Sequence, residues 1–165
     1  MSSLFSPLPQ NSSNLFVPLT KAQDVIDNWD FFAEGLNVLN NPQGARGDVT
    51  PPALLNLVLN VVEKGLDFGI VALLKSKNEK NLGFGICYDN TEPYCMKSAI
   101  VYAVYSNKKN PTTTRELLYH GEKWAREHNF KDLHACSRRF SGASLRLFED
   151  IWGFSRACIV FRKPL

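Results

Sequence analysis

The chain has 165 residues, 44% of them hydrophobic and 21% charged, a composition that excludes disorder and fits one globular domain with its own core. A net charge of +3 gives no case for nucleic acid as a partner, although the seven basic residues from Lys131 onward outnumber the three acidic ones. No run approaches the roughly 20 apolar residues of a membrane span. The start, "MSSLFSPLPQNSSNLF", has neither a basic head nor an apolar block, so no secretory signal is expected.

Residues 1–15 read as a flexible arm and 16–165 as a single domain. "LFVPL" (Leu15–Leu19) is a short strand candidate, and Thr20 to Gln23 has the spacing of a capping box. One helix should follow, burying Val25, Ile26, Trp29, Phe32, Ala33 and Leu36. "NNPQGARGD" is a loop by composition. Thr50 and Pro51 open a second helix with a stripe of Leu54, Leu55, Val58, Val61 and Val62, ended by Gly65.

The period then changes. "FGIVALLKS" and "LGFGICYD" flank the polar turn "KNEKN" and read as an antiparallel hairpin, with Gly69, Gly83 and Gly85 marking bulges or close backbone approach. "SAIVYAVYS" is apolar on both faces and therefore a central strand. A helix beginning near Pro111 should turn Leu117, Leu118, Gly121, Trp124, Ala125 and His128 inward, with Asn129 as a left-handed cap. "DLHACS", "SGASLRLFEDIW" and "RACIVFRK" read as strand, helix and strand, the last offering an edge for pairing across a homodimer.

Cys87, Cys95, Cys136 and Cys158 form no C-x-x-C pair and no metal-ligand spacing, which reads as reduced thiols in a cytoplasmic protein. His120, His128 and His134 form no ligand motif, so no metal is expected. His134 and Cys136 share one strand face, a weak signal for thiol chemistry.

This order, together with "EKWAREHNF" (Glu122–Phe130) and the later Gly153-Phe154 pair, resembles the GCN5-related N-acetyltransferase (GNAT) superfamily, best from about Phe68 onward. The resemblance implies an α/β domain with a mixed, mainly antiparallel sheet flanked by helices on both faces. It also implies acetyl-CoA as co-substrate and an amine acceptor, on a small molecule or a protein. A catalytically silent module of the same fold, kept for binding or assembly, is the alternative.

The family's pyrophosphate motif, Gln/Arg-x-x-Gly-x-Gly/Ala, falls on Lys109 to Thr114, where threonines stand at both glycine positions. Three readings fit this loop. In one, the N–H groups of Thr112, Thr113 and Thr114 hold coenzyme A phosphates, with Lys108, Lys109 and Arg115 as counter-charge. In another a threonine only caps the helix and Pro111 starts it. In the third the site has closed.

The family's later motif, Asn-x-x-Ala/Ser-x-x-Leu-Tyr, falls on Ser141 to Phe148. Ser141 then replaces a cofactor-contacting asparagine and Phe148 a proton-donating tyrosine. The resemblance further implies carbonyl polarisation by strand backbone around Val104 and Tyr105. His134 is the weak candidate for a general base, Tyr105 for a proton donor, and Asp89 or Glu92 for facing a cationic amine.

Overall fold

A computed structural model describes residues 14–39, 49–91, 96–107 and 110–135, with Glu149 and Phe154. The expected final helix and strand, the proposed dimer edge, Lys109, Ser141 and Glu92 lie outside these residues. The described elements run β1 (Leu15–Pro18), α1 (Ala22–Asp27), α2 (Trp29–Leu39), α3 (Pro51–Lys64), β2 (Gly69–Lys75), β3 (Asn81–Asp89), β4 (Ser98–Ser106), α4 (Pro111–Glu127) and β5 (Asp132–Ala135). Among them no helix is long and apolar enough to cross a membrane.

The strands form one sheet in the order β1-β2-β3-β4-β5, antiparallel except for the parallel β4–β5 pair. Side chains alternate between the two faces of a strand, so β2 feeds both layers. Val71 and Leu73 pack with Val25 and Phe32, Leu36, Leu54, Val58 and Val61 of α1, α2 and α3. Ile70 and Ala72 pack on the opposite face with Leu118, Trp124 and Ala125 of α4. The α/β architecture is therefore the one expected, helices covering both faces of a mainly antiparallel sheet.

Three local expectations are corrected. The first helix is two, because Asn28 breaks it: its Nδ2 donates to the Asp24 carbonyl at 2.8 Å, replacing a helical backbone bond. The cap is shifted by one residue, since the Lys21 N–H donates to Asp24 Oδ2 at 3.2 Å while Lys21 is the N-cap. Ile26 is 54% exposed, for the break at Asn28 keeps α1 from continuing the stripe that Phe32 and Leu36 bury in α2. Elsewhere the local signals hold. Thr50 Oγ1 accepts from the Ala53 N–H at 3.4 Å, Gly65 ends α3 at φ 80°, and Asn129 takes φ 62° after α4.

Close approach explains Gly83. A Cβ there would collide with the Tyr105 carbonyl oxygen and stand 2.8 Å from Thr113 Cγ2 and 3.0 Å from Leu117 Cδ1. At Gly85 the nearest atom would be Leu117 Cδ2, an ordinary 3.7 Å away. Thermal unfolding should separate the two positions. Gly83→Ala is expected to cost about 1–3 kcal/mol through overpacking, lowering Tm by several degrees, while Gly85→Ala stays close to wild type. Equal melting temperatures would contradict the packing described.

Candidate active site

The site begins with a change of register in β4. Ile86 pairs with Ala103, but the next residue of β3, Cys87, pairs with Val101, so Tyr102 is an extra residue in β4. Such a bulge reverses the phase of the strand. Ala99 and Val101 face α4, whereas Ala103 and Tyr105 face the α1–α3 layer. Among the described residues the pairing of β4 with β5 runs from Ser98 and Asp132 to Val101 and Ala135, immediately before the bulge. From Tyr102 to Ser106, β4 is paired with β3 alone among the described residues. Alternate N–H and C=O groups of that stretch turn away from β3, a strip of backbone with no strand partner among the described residues. Val104 and Tyr105 lie within it.

The strip leads to the N-terminus of α4. Asn110 is the N-cap, its Oδ1 accepting the Thr112 N–H at 3.0 Å. The Asn110 carbonyl oxygen accepts the Thr114 N–H at 3.3 Å and the Ser106 hydroxyl at 2.9 Å. Pro111 has no N–H, so among the described residues the Thr113 N–H alone in this first turn lacks a partner. The Thr113 side chain is 2% exposed and seated beside Gly83; Thr112 is exposed, and Thr114 and Arg115 are half-buried. The helix start thus carries the partial positive charge of its dipole, with one amide open.

Asn110 was missed in reading the sequence. An asparagine directly before a proline at the first helical position is a strong N-cap signal, and it explains the capping better than any threonine. Buried Glu116 was missed too; its Oε2 accepts from Asn14 Nδ2 at 2.9 Å, tying α4 to the residue before β1.

Tyr105 contributes backbone to the strip, but its side chain goes elsewhere. It is 5% exposed among Phe31 and Phe84, with ring centroids at 5.6 and 5.3 Å, and its hydroxyl donates to Glu34 Oε1 at 2.9 Å. Burial, helped by the Glu34 carboxylate, pushes the phenol up to about 12. Its proton is held away from the strip.

His134 is exposed on β5 opposite Ile100. Leu133 and Ala135 pack on the α4 side, so His134 faces the α1–α3 side. Asp89 Oδ1 accepts from the Thr91 N–H at 2.8 Å, shaping the turn after β3. His120 stacks on Phe16 with centroids 3.9 Å apart, its imidazole pushed down by burial. His128 caps α4, its Nδ1 lying 2.9 Å from the Trp124 carbonyl. Burial raises the Cys87 thiol to about 12, far from thiolate chemistry. No group of three or more His, Cys, Asp or Glu suited to a metal occurs among the described residues.

No family model and no curated protein matches the sequence. Solved structures do match in fold. One is a putative acetyl transferase from Pyrococcus furiosus, 13% identical, with a TM-score of 0.68 over 92% of this chain and 99% of the other. Another is glucosamine-6-phosphate N-acetyltransferase from Arabidopsis thaliana, 14% identical, with a TM-score of 0.64 over 93% and 99%. AAC(6')-Iy, solved with a bisubstrate analogue that includes CoA, is 10% identical with a TM-score of 0.64 over 93% and 100%. The chain has the fold of the GNAT-type acetyltransferases. Identities this low show the fold alone.

The raised tyrosine and cysteine make a pH prediction. Tyr105 and Cys87 both titrate higher in the fold, at about 12, than their ordinary values of 10.0 and 9.0. Their stabilisation is complete below pH 9 and is lost as pH rises towards 12. Denaturant midpoints should fall over that interval, and Tyr105→Phe should remove part of the fall. A flat profile would contradict the burial of both groups.

Proposed function

We propose that the protein transfers an acetyl group from acetyl-CoA to an amine of a small molecule or a protein, acting in the cytoplasm. One observation carries the reading: past the bulge the backbone of β4 is paired with β3 alone among the described residues, and it runs to the N-terminus of α4. An extended thioester co-substrate needs such a combination of strand edge for its amide groups and helix start for its pyrophosphate.

In this reading the Thr113 N–H, the hydroxyls of Thr112 and Thr114, and the charges of Lys109 and Arg115 hold the pyrophosphate. Ser141 contacts the cofactor from the following segment. Backbone around Val104 and Tyr105 binds the pantetheine arm and polarises the thioester carbonyl. Direct attack by a positioned amine then needs little further chemistry, since positioning alone supplies on the order of 7–11 kcal/mol in favourable cases.

A second reading, a catalytically silent binding module, is favoured by Asn110. Its side chain takes the Thr112 N–H that a phosphate would use, and three threonines crowd a place where backbone must approach a ligand.

Calorimetric titration with acetyl-CoA separates the two. The wild type is expected to bind with a Kd on the order of micromolar, and a Lys109→Ala, Thr114→Glu double variant to lose at least about tenfold. Absence of binding up to millimolar acetyl-CoA would overturn the enzyme reading and leave the silent module.

A further inference from the structure

β1 is a four-residue strand at one end of the sheet order, and so short a ladder holds a strand weakly. Two side-chain contacts with α4 add to that ladder. Asn14 Nδ2 donates to Glu116 Oε2 at 2.9 Å, and Glu116 is buried. One turn further along α4, His120 lies face to face with Phe16, the ring centroids 3.9 Å apart and the planes within 12°. Phe16 pairs with Leu74, Leu74 pairs with Gly83, and Thr113 sits against Gly83. The two contacts therefore clasp β1 to the first turns of α4.

The clasp suits a neutral imidazole. The stack holds His120 by one face of its ring, and among the described residues neither ring nitrogen has a hydrogen-bond partner. A protonated ring presents two N–H donors and a charge, all of which need solvation. The charged groups facing His120 among the described residues are Glu116 and Lys123, both on α4. Phe16 of β1 and Leu74, Ala72 and Ile70 of β2 present only apolar side chains to this layer. Burial opposes the imidazolium, Glu116 favours it and Lys123 opposes it; burial prevails, so His120 titrates below its ordinary 6.5.

We propose that this contact is an acid-released clasp: neutral His120 holds β1 against α4, and its protonation frees β1 and Asn14 from the helix while β2, β3 and β4 stay paired. The proton comes from solvent, and water solvates the imidazolium once Phe16 has left its face. Because His120 titrates lower in the clasped state, the clasp is at full strength above pH 6.5 and weakens as pH falls below it. Release removes the β1 partner from Ala72 to Lys75 of β2 and takes from Glu116 its Asn14 donor, one turn behind Thr113. The device stands apart from the acetyl-transfer reading.

Its test needs no ligand. Amide hydrogen exchange of the full chain is compared at about pH 7.5 and about pH 5, each rate divided by its intrinsic value. The amides of β1 and of Leu19, whose N–H donates to the Val71 carbonyl at 2.8 Å, should open at least about twofold more at the lower pH, with β3 unchanged. His120→Phe keeps a stacking ring without the titration, so its β1 opening should be the same at both pH values. Thermal melting checks that this variant is folded, and His120→Gln provides a second side chain without the titration if it is not. Equal β1 opening at the two pH values in the wild type would overturn the proposal. So would a pH response that survives in the variant, or one that spreads equally to β3.

Discussion

The extra residue in β4 is the constraint on which the rest of the site depends. Before Tyr102 the strand turns Ala99 and Val101 towards α4; after it, Ala103 and Tyr105 fill the α1–α3 core. Past it, from Tyr102 to Ser106, the strand is paired with β3 alone among the described residues. A bulge leaves one residue unpaired and bends its strand. Here that local disturbance moves the strand's side chains from the α4 layer to the α1–α3 layer on the way to the start of α4.

The surroundings keep that strip in place. Gly83 lets the Tyr105 carbonyl, Thr113 and Leu117 converge on one point of β3, so that β4 and the first turns of α4 are positioned by the same contact. Gly35 does the same on the other face, where a Cβ would meet the Phe84 ring and lie 2.9 Å from Tyr105 Cδ1. The far end of α4 is tied by the Trp124 Nε1–H, which donates to the Leu66 carbonyl at 2.8 Å. The helix start, the strip and the core are thus mechanically one unit.

Much of this fold was legible in the sequence, for identifiable reasons. The bounds of β4 follow from an apolar run between a polar loop and an Asn-Pro pair, and α3 from a threonine cap and its proline. The bulge was not legible. Because β4 is apolar on both faces, a reversal of phase at Tyr102 leaves no trace in its hydropathy, and only the register with β3 reveals it. The break at Asn28 was hidden for a related reason: apolar spacing continues across it, while the decisive bond to the Asp24 carbonyl comes from a side chain. The cap at Asn110 was legible as an asparagine directly before a proline, although the three threonines that follow are capping residue types as well. Tyr105 was placed correctly in the chain, yet its engagement by Glu34 depends on a contact between distant segments.

The central claim is that the β4 strip and the start of α4 form one binding surface for acetyl-CoA. Hydrogen exchange of the backbone amides, with and without saturating acetyl-CoA, tests it most directly. The account predicts slower exchange within Tyr102 to Ser106 and at Thr113, with little change in β1 or in α3. Protection confined to other elements, or none at these amides when the ligand is bound, would contradict it.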